Sequence, residues 1–128
     1  LEPIAGYLIL AQNLVINGRN FAEGWNFGPS SAGEQTVRYL ADTMAKIWGD
    51  DAHWEIDGED QPHEARYLQL DVTKAESHLG WRSHLDLRKT LALTVDWYRK
   101  WERGENMRAV TICQIQDYAE KMRNKVIS

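Results

Sequence analysis

Cysteine occurs once in the 128 residues, at Cys113, so no internal disulfide framework can staple the fold. Its place on the apolar side of a predicted helix reads as a small core side chain. Long hydrophobic runs are missing too. Apolar stretches such as Tyr7 to Ala11 fall far short of the roughly 18 residues that cross a bilayer. No basic, apolar, small-residue leader opens the sequence, and the chain reads as soluble and cytoplasmic. Positive charge is in deficit, with 15 Lys and Arg against 19 Asp and Glu for a net charge of -4. That removes the broad attraction that nucleic acid or an anionic membrane surface would need. The four histidines, His53, His63, His78 and His84, never pair with one another or with a Cys at a ligand spacing, so no metal is expected. Gly28 and Gly33 stand alone, without the G-x-G-x-x-G spacing of a phosphate-cradling loop. A G-x-S-x-G nucleophile elbow is also lacking.

What is present is ordinary globular material, 43% hydrophobic and 27% charged, enough for one domain that buries roughly two thirds of its unfolded surface. Ile4, Tyr7, Leu8, Ala11, Leu14 and Val15 recur at helical steps and predict a helix from Pro3 to Asn17, stopped by Gly18. Trp25 to Pro29 reads as a short strand entering a turn. Thr36 caps a second helix whose stripe runs through Val37, Leu40, Ala41, Met44, Ile47 and Trp48 to Gly49. Trp54 and Ile56 alternate with Glu55 and Asp57 as a half-buried strand would, and a second extended run follows from His63 through Leu68 and Leu70.

Asp71 can cap a short helix from Val72 to Leu79, closed by Gly80, with Trp81 plugging the core behind it. Asp86 caps a longer one with Leu87, Leu91, Thr94, Tyr98 and Trp101 on its apolar face, stopped near Gly104. Thr111 to Gln114 fits a capping box for a last helix. The expected class is α/β, helix-rich with a few short strands.

Six tryptophans could stack on bases or sugars, though Trp48, Trp81 and Trp101 are better explained as core. The most informative polar patch runs from Gly58 to Tyr67. There Glu59, Asp60, His63, Glu64 and Arg66 bring carboxylate, imidazole and guanidinium together, a set suited to a polyol phosphate. A solvated charged loop accounts for the same residues.

The stretch Pro62-His63-Glu64-Ala65-Arg66-Tyr67-Leu68-Gln69-Leu70-Asp71-Val72-Thr73-Lys74-Ala75, followed by Leu79-Gly80-Trp81 and later Trp97-Tyr98, resembles the C-terminal signature of extended short-chain dehydrogenase/reductases that act on nucleotide sugars. Within that superfamily, Leu1 to Leu8, Trp25-Asn26-Phe27-Gly28-Pro29, Pro62 to Ala65 and Asn106-Met107-Arg108-Ala109 look most like CDP-glucose 4,6-dehydratases. The likeness covers nearly the whole chain.

The resemblance implies the α+β substrate-binding lobe of an NAD-dependent lyase that turns CDP-glucose into its 4-dehydro-6-deoxy product. Residues 1 to 128 would be the C-terminal substrate-binding part, and the NAD-binding Rossmann domain would be absent from this chain. Leu1-Glu2-Pro3 enters a helix without an initiator Met or lead-in, which reads the same way. The Pro3 to Asn17 helix is then expected to be the most exposed apolar element.

No catalytic residue is expected here: the family's Tyr-x-x-x-Lys pair is missing, since Tyr7, Tyr98 and Tyr118 are not followed by a Lys four residues on. The resemblance places Glu64 where an acid contacts the ribose, His63 beside it, and Arg66 as a candidate for the diphosphate. An Arg that many relatives carry ahead of the Pro is replaced by Asp60 and Gln61. The full-length enzyme would be a homo-oligomer. A non-catalytic binding or assembly module, or a lobe of a related epimerase or reductase, are the alternative readings.

Overall fold

The computed structural model describes residues 1–29, 35–56, 58 and 70–126. Among the described residues there are five helices, α1 Glu2–Asn17, α2 Val37–Trp48, α3 Thr73–Leu79, α4 Leu87–Glu102 and α5 Met107–Val126, with a 3-10 turn at Gly18–Phe21 after α1. Their ends follow from local chemistry. Thr36 Oγ1 accepts from Tyr39 N–H at 3.1 Å and Asp86 Oδ1 from Lys89 N–H at 2.8 Å, as the sequence predicts for caps of α2 and α4. Gly18, Gly49 and Gly80 end α1, α2 and α3 at φ of 62°, 74° and 64°, a backbone region that side chains with a Cβ avoid.

The α/β expectation is overturned, because no strand is found among the described residues. The aromatic alternation that suggested strands comes from side chains docking on helices. Trp54 donates its Nε1–H to Asp42 Oδ1 at 2.8 Å while the Arg38 guanidinium lies 5.3 Å over its ring, and Ile56 is left 72% exposed. Trp25 stacks on Phe21 and Phe27 wedges edge-on between Tyr7 and Trp81. A strand requires a backbone ladder, and these side chains are satisfied without one.

Three other expectations are corrected. The last helix begins at Met107, not at Thr111, because Asn106 Oδ1 takes the Ala109 N–H at 3.1 Å. Thr111 instead sits inside α5, accepting from the Trp97 indole at 3.0 Å. Trp101 is 61% exposed and Cys113 is exposed, so neither belongs to the core.

Packing forms two centres. Phe27, Ala75, Leu79 and Trp81 are buried together, with Ile9, Leu10, Phe21, Trp25 and Val72 against them, which joins α1 to α3. Leu91, Val95 and Tyr118 are buried where α4 meets α5. Trp81, 2% exposed, is the core plug that its place after Gly80 predicts. Arg99 ties α2 to α4 by donating to the Trp48 carbonyl and to Asp50 Oδ2. No helix among the described residues is long and apolar enough to cross a membrane.

Candidate functional site

Four segments leave a cleft of about 740 Å³ between them. Its walls are the first turn of α1, the strap at Phe27 to Pro29, the start of α2 at Gln35 and Tyr39, and the link from Trp81 to Arg88. Leu70 closes one side. The interior is mostly apolar, and Tyr39, Gln35, Ser83 and Arg88 bring polar atoms to it, the composition expected of a small-molecule site. A second hollow of about 390 Å³ lies beside it, lined by Leu93, Trp97, Tyr98 and Gln114 among others. Glu2, Pro3, Leu85 and Thr90 line both.

Glu2 holds that junction. Its Oε1 accepts the backbone N–H groups of His84 and Leu85 at 2.8 and 2.6 Å. Its Oε2 accepts the Tyr118 hydroxyl at 2.8 Å, and its carbonyl accepts the Trp81 indole at 3.2 Å. One residue thus fastens α1, the 81–86 link and α5 around the cleft. Burial, followed by the hydrogen bond to Glu2, pushes the Tyr118 phenol well above the usual tyrosine range. Sequence reasoning missed Glu2. Its only signal was an acid in the first turn of an otherwise uncharged helix.

The residues that carried the resemblance divide into two groups. The first is scaffold. Asp71 Oδ1 accepts the Thr73 N–H at 2.9 Å as α3 begins, and the hydroxyl and amide of Thr73 hold its carboxyl below the ordinary carboxylate range. The Asp71 carbonyl accepts from Asn26 Nδ2 at 3.2 Å, which fixes the strap. Lys74 pairs with Glu23, donates to the Gly24 carbonyl at 3.1 Å and lies 4.5 Å over the Trp25 ring. The Lys74 hydrogen bond and charge depress the Glu23 carboxyl. Ala75, at 1% exposure, with Leu79 and Trp81, forms the core behind them.

The second group is the candidate binding set, His63, Glu64 and Arg66, which lies outside the described residues, as does the extended run from His63 to Gln69. In sequence that run leads directly into Leu70, on the wall of the cleft. Among the described residues no group of three or more His, Cys, Asp and Glu side chains could hold a metal ion.

Over 118 residues, 92% of its length, the chain is 48% identical to CDP-glucose 4,6-dehydratase of Salmonella typhimurium (strain LT2). The resemblance to the CDP-glucose 4,6-dehydratases is shown. The match spans only 33% of that enzyme, about a third of the length of the curated relative. No family model matches the chain.

Proposed function

We propose that this chain is the C-terminal, substrate-binding part of an NAD-dependent lyase of the CDP-glucose 4,6-dehydratase kind, working in a cytoplasmic homo-oligomer. The supporting observation is 48% identity sustained over 92% of the chain, a span that includes too many scaffold contacts to arise from one shared motif. On this reading His63, Glu64 and Arg66 bind the nucleotide sugar, with Glu64 accepting from the ribose hydroxyls and Arg66 offering charge to the diphosphate. Leu70, the residue that follows that run in sequence, lines the cleft together with Tyr39 and Arg88.

The described residues do not fit the dinucleotide itself. A pyrophosphate is held by N–H groups at the start of a helix behind glycines. Here Gly18, Gly49 and Gly80 stand at helix C-termini, where carbonyl oxygens are presented, and the space above Gly6 is filled by the Phe27 ring. On this reading NAD binding and the proton and hydride steps are supplied by polypeptide that the matched relative has beyond this third of its length.

The test is a chimera in which this chain replaces the matched third of the Salmonella enzyme. Turnover of CDP-glucose is expected, with none from the 128 residues alone. A chimera that folds and retains NAD but leaves CDP-glucose untouched refutes the reading. Within an active chimera Glu64→Gln should raise KM by roughly tenfold with kcat little altered, since a charge-assisted bond of about 1.5 kcal/mol or more is removed from bound substrate and transition state alike. Glu59→Gln is the solvated control.

A further inference from the structure

A diphosphate carries paired negative charges, and the fork of a guanidinium suits its oxygens better than any other side chain does. The run from Gly58 to Tyr67 is poorly supplied for that task, since Glu59, Asp60 and Glu64 outnumber Arg66. Further positive charge has to come from elsewhere. On the wall of the cleft that Leu70 closes, the side chains charged near neutral pH are Glu2, Asp86 and Arg88.

Both carboxylates are engaged. Glu2 accepts from the His84 and Leu85 N–H groups and from the Tyr118 hydroxyl. Asp86 accepts the Lys89 N–H at 2.8 Å and pairs with the Lys89 ammonium at 2.9 Å. Arg88 is exposed, and among the described residues its guanidinium makes no hydrogen bond or ion pair. It also stands in the first turn of the sixteen-residue α4, the end of a helix where a cation is disfavoured and an anion favoured. Lys89 is offset there by Asp86, whereas Arg88 is not. The N–H groups of Leu87 and Arg88 take no partner among the described residues either. An uncompensated cation beside open N–H groups, on a cleft wall, is the local conflict that an anionic ligand resolves.

We infer that Arg88 is a diphosphate-binding side chain of this cleft, donating its guanidinium N–H groups to the phosphate oxygens of the nucleotide sugar. The inference rests on the reading of this chain as the substrate-binding part, and it adds a residue that the resemblance does not assign. What Arg88 recognises is the diphosphate, and neither the base nor the sugar. It should therefore weigh equally on CDP-glucose and CDP, and not at all on cytidine.

Kinetics of the active chimera test this. Arg88→Gln should raise KM for CDP-glucose by roughly tenfold or more with kcat little altered, and Arg88→Lys, which keeps the charge without the fork, should recover part of the loss. As competitive inhibitors, CDP should weaken by the same factor while cytidine is unchanged, a split that a merely structural role would not produce. Arg103→Gln, exposed at the other end of α4, removes the same charge and should change nothing. An active chimera whose KM and preference for CDP over cytidine survive Arg88→Gln overturns the inference and leaves the substrate-binding reading standing. A chimera without turnover removes that reading instead, and nuclear magnetic resonance titration of the 128-residue chain with CDP and with cytidine then decides. CDP should bind roughly tenfold more tightly than cytidine, and Arg88→Gln should abolish the difference. No preference for CDP, or one that Arg88→Gln leaves intact, overturns the inference there as well.

Discussion

Removing the Glu2 carboxylate should loosen three segments at once. It accepts two backbone N–H groups of the 81–86 link and the hydroxyl of Tyr118, which is 6% exposed. Hydrogen bonds to a charged group contribute about 1.5 to 3 kcal/mol each when desolvated, and Glu2 is only half-buried, so the lower end applies. In Glu2→Ala the two amides regain water in part, whereas the Tyr118 hydroxyl is left with little access to it. The expected loss is about 3 kcal/mol, a large share of the ~5 to 15 kcal/mol that holds a typical domain together. Glu2→Gln keeps an acceptor for the amides and should lose about 1 kcal/mol, as should Tyr118→Phe. Combined, the last two should fall short of additivity by about 0.5 to 1 kcal/mol, because they remove the same contact. Urea unfolding followed by circular dichroism at fixed protein concentration measures all four. If Glu2→Ala costs no more than Glu102→Ala, an exposed acid at the end of α4, Glu2 is not the tie described and the reasoning fails.

A Cβ on Gly6 would lie within 2.9 Å of three Phe27 ring carbons, so Gly6→Ala should destabilise by about 2 to 3 kcal/mol or force the ring out of the core. Near-ultraviolet circular dichroism should report the lost aromatic packing, and a stable variant with an unchanged spectrum would refute the close approach. Alkaline pH should act on Tyr118. Because burial and Glu2 raise its phenol in the folded state, its contribution is complete below the unfolded tyrosine value near pH 10 and drains away as pH rises toward the folded one. Between pH 8 and about pH 11 the parent chain should therefore lose more stability than Tyr118→Phe, and parallel losses would contradict the assignment.

Helices were legible where a cap, a stripe and a stop agreed. Thr36 with Gly49, and Asp86 at the start of α4, are bounded by bonds within a few residues of one another, so sequence contains all the terms. The start of α5 was misread because Asn106 and Thr111 both offer a capping oxygen. Which one caps depends on Trp97, fourteen residues away, claiming the Thr111 hydroxyl. Strands were misread for a related reason. Alternation over three residues, as at Trp54 to Ile56, is produced equally by a pleated ladder and by one aromatic ring that finds a helix to lie on. Only tertiary contacts such as Asp42 with Trp54 separate the two.

The site was less legible than the family, and the division of labour among the motif residues explains why. Asp71, Lys74, Ala75, Leu79 and Trp81 carried the resemblance, and each is held by contacts within the scaffold: the turn in which Asp71 accepts the Thr73 N–H, the clamp of Lys74 on Glu23, Gly24 and Trp25, and a buried core. Such residues serve the packing whatever the ligand, and so they mark the architecture without locating chemistry. His63, Glu64 and Arg66 are of the opposite sort, polar groups whose task would be set by what they bind rather than by what they pack against. Nothing in helical periodicity or capping places them; their chemistry suggested a polyol phosphate, and only the resemblance assigned each its own contact. Glu2 falls between the two. Its bonds to His84 and Leu85 span more than eighty residues of sequence, a separation at which no local pattern can foretell a partner. It also lines both hollows, so a change there would alter the cleft wall as well as the scaffold that holds it.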